Sequence, residues 1–259
     1  MNTSRIGIAA QFATHFRRRT RIVLFEPSRS PYDLNFRLFD IPVRVHWSFW
    51  LVALLFGMNV QEPGALMIWV AVVFVSVLAH ELGHALVARY YRRQPWITLY
   101  SLGGLASYRA GGLSARQEIA VLLAGPGAGF LLAGIVIAIV AATQHSIGLF
   151  GYQIGSGPSI DNERLWELVS FLLFVNIGWG VINLFPVYPL DGGQIARHIF
   201  ISLDSWRGLR QSLWLSVLAG GLLAVFGLIS GQIYMTILFG MMAFNSYQQL
   251  QGGSGSSPW

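Results

Sequence analysis

The sequence contains neither cysteine nor lysine in its 259 residues, and only 11% of them are charged. The absence of cysteine excludes disulfide bonds, cysteine-ligated zinc and a thiol nucleophile. Acidic residues are also scarce, with 11 against 17 arginines, so the formal net charge is +6. A soluble domain normally carries about 25% charged residues. With 54% hydrophobic residues as well, the composition favours an integral membrane protein.

Apolar segments recur along most of the chain, and most of them reach the roughly 20 residues that a membrane-spanning helix needs. They cover residues 45–60, 64–88, 117–142, 165–186, 211–229 and 232–248. The first segment is short, and we expect its helix to begin near Ile41. The pattern predicts an all-α polytopic membrane protein with six transmembrane helices.

The connection after the second segment differs from the others. Residues 97–112, ITLYSLGGLASYRAGG, are rich in glycine and alternate apolar with polar side chains. This pattern predicts a short membrane-associated β element. We expect one intramembrane domain at 41–250, a cytoplasmic N-terminal arm at 1–40 and a flexible C-terminal tail at 251–259.

The arginines indicate how the helices are oriented. Sixteen of the 17 lie in residues 1–44, 89–116 and 191–210, and only Arg164 lies in the alternate loops. The positive-inside rule therefore predicts that both termini are cytoplasmic. The RRRTR run at 17–21 suits anionic lipid. It lacks any nucleic-acid-binding motif, so we expect membrane lipid and no nucleic acid as a partner.

The second apolar segment contains the motif His80-Glu81-Leu82-Gly83-His84. Histidines four residues apart lie on one face of a helix, so both imidazoles can bind one ion. Glu81 lies about 100° round the helix and can reach a water molecule on that ion without being a ligand. Zinc lowers the pKa of bound water towards about 7, and a carboxylate can take the proton. Ionisable side chains are costly in a membrane, which favours a functional role for this motif.

A catalytic zinc site uses three protein ligands and keeps one position open. The other histidines lie in flanks, in loops or at a membrane boundary: His15, His46, His145 and His198. Asp191 is the better candidate, because NLFPVYPLDGG at 183–193 ends on the same side of the membrane as His84. Gly192 and Gly193 permit a tight turn, although Asp-Gly is also a common surface turn.

The two motifs and the six-helix layout resemble the site-2 protease family of intramembrane zinc metalloproteases, over about residues 40–250. The resemblance implies that one zinc ion per chain is held by His80, His84 and Asp191. It also implies that Glu81 is the general base.

The resemblance implies roles for three further residues. Asn183 matches an asparagine that helps to hold the substrate or the developing oxyanion. Gly103 and Gly104 resemble a glycine pair in a strand to which an unwound substrate can pair. GPGAGF at 125–130 resembles a glycine-proline element in which many members have asparagine at the position of Gly129. We interpret Gly125 and Gly129 as contacts for close helix packing.

The predicted function is hydrolysis of a peptide bond within or near a transmembrane segment of a single-pass membrane protein. The resemblance implies regulated intramembrane proteolysis in the inner or plasma membrane of a prokaryotic cell. Two alternatives remain. A zinc transporter would not need Glu81 and would line a path through its helices with polar residues. A catalytically silent relative would bind membrane proteins without cutting them, and an altered motif would favour it.

Overall fold

The computed structural model describes residues 27–101, 103–108, 112–149 and 151–252. Part of the predicted N-terminal arm, with His15 and the RRRTR run, and the predicted tail from residue 253 lie outside these residues. The described helices are α1 Trp47–Phe56, α2 Pro63–Tyr90, α3 Ala115–Ala142, α4 Glu163–Asn183, α5 Asp191–Leu203, α6 Gly208–Ile229 and α7 Ile233–Gly252. The described strands are β1 Leu34–Leu38, β2 Ile41–Val45, β3 Trp96–Tyr100, β4 Gly103–Ser107, β5 Ile147–Leu149 and β6 Tyr152–Ile154.

Four helices, α2, α3, α4 and α6, are long and apolar enough to cross a membrane. Helix α1 is apolar but has only 10 residues, so at 1.5 Å per residue it covers about half of a ~30 Å hydrocarbon layer. Helix α7 has 20 residues and carries several amide side chains in its last turns, which lower its hydropathy. Length and composition thus support four of the six predicted spans.

The expectation that the first helix begins near Ile41 is wrong, because residues 41–45 form strand β2. Ile41, Val43 and Val45 are 1%, 2% and 0% exposed, whereas the intervening Pro42 is exposed. This two-residue period is that of a strand with one buried face. Helix α1 begins at Trp47, where the His46 side chain accepts a hydrogen bond from the Ser48 N–H.

The β structure is more extensive than the short element expected after the second helix. The sheet order is β1-β2-β3-β4, and β3 pairs antiparallel with β4 directly after α2. Strand β2 pairs in parallel with β3, and helices α1 and α2 lie between these two strands in the chain. Strand β1 pairs antiparallel with β2, so the predicted domain boundary after residue 40 falls in the turn between them.

The sheet covers the half of α2 that carries the histidine motif. Its buried side chains form one cluster with three residues of that helix, Val77, Leu78 and Ala85. On its other side α2 packs closely on α3. A Cβ added at Gly83 would lie 2.2 Å from the Ala124 carbonyl oxygen, so only glycine allows this approach. The motif therefore lies between the sheet and the helices α3 and α4.

Candidate metal centre

His80 and His84 of α2 meet Asp191, the first residue of α5, in a buried cluster. The two histidine Nε2 atoms lie 3.1 Å apart. The Asp191 Oδ2 atom is 3.2 Å from Nε2 of His80 and 3.4 Å from Nε2 of His84. The three residues are 4%, 7% and 7% exposed. One ligand atom from each lies within 4.8 Å of the other two, so the cluster can hold a metal ion.

The hydrogen bonds around the cluster fit a metal ion. Nδ1 of His84 lies 2.7 Å from the Val121 carbonyl oxygen. A carbonyl only accepts, so this nitrogen carries the proton and leaves the Nε2 lone pair directed into the cluster. Asp191 Oδ2 is buried with no hydrogen-bond partner among the described residues. A buried carboxylate oxygen between imidazole nitrogens is the donor set that zinc prefers.

The chain between α4 and α5 brings Asp191 to the histidines. A Cβ added at Gly192 would lie 2.1 Å from the Leu184 carbonyl oxygen, and one at Gly193 would lie 2.4 Å from the Tyr188 nitrogen. Close backbone contacts therefore require both glycines, which lie in the first turn of α5 and not in the predicted tight turn. Because Asp191 is buried at the start of α5, it does not belong to a surface turn.

Strand β4 lies against Glu81. A Cβ added at Gly104 would lie 2.3 Å from Cγ and 2.4 Å from Oε1 of Glu81. Gly103 has a φ of +109° and faces the Trp179 ring, with 3.0 Å between an added Cβ and Cζ2. Gly104 therefore contacts Glu81 of the histidine motif, whereas Gly103 contacts Trp179.

Asn183 is buried at the C-terminal end of α4. Its Nδ2 atom donates to the Trp179 carbonyl oxygen one turn earlier, at 3.0 Å, which fixes the side chain on its own helix. His46, His145 and His198 do not belong to the metal cluster. His46 instead forms the N-cap of α1.

Two contacts of His84 were not predicted. A Cβ added at Gly125 would lie 2.1 Å from Nε2 of His84. Gly125 therefore leaves room for the imidazole, in addition to packing helices together. The Val121 carbonyl orients the same ring. A backbone carbonyl is independent of residue type, so the sequence carries no signal for this contact.

The chain is similar to a known protein family and to several known proteins. The model of Peptidase family M50 matches residues 68–227. A zinc metalloprotease of Methanocaldococcus jannaschii is 29% identical over 217 residues, which cover 82% of this chain and 57% of that protein. Stage IV sporulation protein FB of Bacillus subtilis is 26% identical over 216 residues, which cover 81% of this chain and 66% of that protein. The chain thus spans less than two thirds of either relative.

A solved structure shows the same fold. The site-2 protease from Methanocaldococcus jannaschii matches with a TM-score of 0.54 and 26% sequence identity, over 85% of this chain and 95% of that one. The matched family region contains the motif on α2 and the aspartate of α5. Four helices of the chain can cross a membrane. The chain is an integral membrane protein that belongs to Peptidase family M50, the site-2 protease family.

Proposed function

We propose that this protein is an intramembrane zinc endopeptidase that cleaves a transmembrane segment of a single-pass membrane protein, as in regulated intramembrane proteolysis. The observation that carries the proposal is the buried convergence of His80, His84 and Asp191 next to Glu81 on an apolar helix. A buried set of ionisable groups in such a helix is costly unless it serves a function.

One zinc ion per chain would be held by His80, His84 and Asp191. Two imidazoles and one carboxylate leave a coordination position open, as in other zinc proteases. Zinc bound there supplies a Lewis acid that polarises the scissile carbonyl and makes a water molecule more acidic. The proton on Nδ1 of His84, held by Val121, keeps that imidazole in the tautomer that can bind metal.

Glu81 acts as the general base and then as the general acid. Its carboxylate accepts a proton from the attacking water and delivers it to the leaving amide nitrogen. The absence of a side chain at Gly104 lets β4 lie directly on the carboxylate. The base is therefore oriented by two elements, α2 and β4.

The substrate pairs with the free edge of β4. This strand is the last in the sheet order, so its outer edge offers backbone groups to an extended peptide. A transmembrane helix must unwind before hydrolysis, and pairing with an edge satisfies the backbone groups that unwinding releases. Gly103 and Gly104 form the start of that edge, and Gly104 contacts the base.

Asn183 supports the developing negative charge on the scissile carbonyl. A carboxamide has two N–H donors, and Trp179 takes one of them. The second remains for a substrate oxygen, and a donor aimed at the oxyanion lowers the barrier.

The protein resides in the inner or plasma membrane of a prokaryotic cell, with both termini in the cytoplasm. The arginine distribution supports this orientation. Helices α1 and α7 complete a six-helix arrangement, in which α1 is too short to cross the bilayer alone and strand β2, directly before it, extends the crossing segment. The protease domain, predicted at 41–250, includes β1 as well, because β1 pairs with β2 along its whole length.

Replacement of Glu81 by glutamine tests the function. Wild type and Glu81→Gln are expressed with a panel of tagged single-pass membrane segments, and release of a soluble fragment is measured. We expect the variant to cleave at least about 100-fold more slowly because it lacks the base, with zinc content unchanged. Equal cleavage by both proteins would contradict the mechanism. A zinc-replete protein that cleaves nothing would favour transport or a silent relative.

Zinc content tests the ligand set separately. We expect His80→Ala to lose the ion and His198→Ala, a histidine outside the cluster, to retain it. Equal zinc in the two variants would show that the cluster does not bind metal.

A further inference from the structure

Helix α6 contains a buried serine that contacts the loop leading to Asp191. The Ser216 hydroxyl accepts a hydrogen bond from the Tyr188 N–H at 3.0 Å and donates to the Ser212 carbonyl oxygen at 3.1 Å. Ser216 is 1% exposed. A buried backbone N–H needs an acceptor, and no water replaces one in a bilayer. The Ser216 hydroxyl therefore forms hydrogen bonds both with the loop and with its own helix.

A second contact lies one turn further along the same face of α6. A Cβ added at Gly220 would lie 3.3 Å from Cγ1 of Val187, and Val187 is 0% exposed. Val187 and Tyr188, four and three positions before Asp191, thus both contact α6. The Phe185 ring also packs edge-to-face on Phe239 of α7, with 6.3 Å between centroids. The loop therefore contacts both helices of the α6–α7 hairpin.

Three hydrogen bonds connect the loop between these contacts and Asp191 to itself and to the first turn of α5. The Leu190 N–H donates to the Val187 carbonyl at 2.8 Å, and the Gln194 N–H donates to the Leu190 carbonyl at 3.0 Å. The Gln194 side chain donates to the Pro189 carbonyl at 3.0 Å. Because of these bonds, we expect a displacement of residues 187 and 188 to move Asp191 as well.

We propose that Ser216 is a positioning residue for the third metal ligand, and that it couples the α6–α7 hairpin to the metal centre. Helix α7 packs mainly on α6, and α6 packs on α5, so the hairpin can shift as a unit. Its shift changes the distance of Asp191 from His80 and His84. The inference rests on the proposed function, in which the cluster binds zinc.

Zinc affinity of the purified full-length protein, measured by competition with a chelator, tests the proposal. We expect Ser216→Ala to weaken zinc binding about tenfold, as loss of a residue that supports a ligand does. Ser216→Thr keeps the acceptor and should restore most of the affinity. Ser246→Ala is the matched control, because Ser246 is equally buried but its hydroxyl bonds only to Met242 of its own helix. Equal affinities of Ser216→Ala and Ser246→Ala would overturn the proposal.

If Ser216→Ala does not fold, a pair of glycine variants tests the same coupling. Gly220→Ala places a methyl group against Val187 and also, slightly closer, against Phe239 and Ala243 of α7, whereas the neighbouring Gly221 has open space. We expect weaker zinc binding for Gly220→Ala only, and equal affinities for the two would overturn the coupling. If wild type binds no more zinc than His80→Ala, the proposed function itself fails. If wild type binds zinc and these variants match their controls, only the coupling fails.

Discussion

At the scale of single residues, the orientation of His84 depends on neighbours that carry no reactive group. Val121 fixes the ring through a backbone carbonyl, and Gly125 provides the space that the ring occupies. Metal affinity depends on such supporting residues because they hold the ligand in its binding geometry. The metal centre therefore extends onto α3, which contributes no ligand.

Replacement of Gly125 by alanine should disrupt the centre. Its Cβ would lie 2.1 Å from Nε2 of His84, whereas a Cβ at Gly127 of the same helix meets no atom within 4 Å. We expect Gly125→Ala to lower zinc affinity at least about tenfold. Gly127→Ala should keep zinc and gain up to about 1 kcal/mol from better helix propensity. Chelator competition and thermal unfolding measure both effects, and full zinc affinity in Gly125→Ala would contradict this account.

The sequence shows which residue types can bind metal but not which side chains lie beside them. His80, Glu81 and His84 follow from helical spacing alone. The position of Asp191 beside the histidines depends on the loop after α4. Gly192 and Gly193 indicate a close backbone contact but not which residues are in contact. Gly125 was assigned to helix packing because glycine spacing does not reveal which side chain faces it.

At the scale of elements, strand β4 has to stay in contact with Glu81. The strand ends at Ser107, and the next residue, Tyr108, donates a hydrogen bond from its hydroxyl to Glu118 of α3. Burial and this hydrogen bond raise the pKa of Tyr108, so the hydroxyl remains protonated as a donor. The bond ties the end of the proposed substrate-binding edge to the helix that supports His84.

Removal of this hydroxyl should loosen β4 without affecting the metal. We expect Tyr108→Phe to lower kcat/KM about tenfold, since a hydrogen bond to a charged group is lost, with zinc content unchanged. Glu118→Gln keeps an acceptor and should be milder. Tyr90→Phe, at an exposed tyrosine, is the control. Loss of zinc in Tyr108→Phe would show that the contact supports the metal centre instead.

Local patterns predict the long helices but not the strand pairing. Strands β1 and β2 were missed because their turn, Phe39-Asp40, has positive φ at both residues without the usual asparagine or glycine signal. The parallel partner of β2 is β3, about 50 residues further along the chain, and no local pattern reveals a pairing at that separation. The predicted first helix therefore included the strand residues Ile41, Val43 and Val45.

At the scale of the whole molecule, the metal centre lies near one end of the bundle. His84 precedes the end of α2 at Tyr90 by six residues, which is roughly 9 Å along the helix axis. The sheet packs on this half of α2, and Asp191 opens α5 beside it. The arginine-rich connections begin at the same end. The proposed orientation therefore puts hydrolysis near the cytoplasmic surface, where water can reach Glu81.

This orientation can be measured with single introduced cysteines, because the chain has none of its own. Ser28 and Gln249 are exposed near the two ends of the described chain, and Gly148, in the β5–β6 hairpin, has open space at its Cβ position. We expect a membrane-impermeant maleimide to label Gly148→Cys in intact cells, and to reach Ser28→Cys and Gln249→Cys only after permeabilisation. Labelling of all three after permeabilisation is the control for reactivity. The opposite pattern would contradict the positive-inside orientation and place the metal centre near the outer surface.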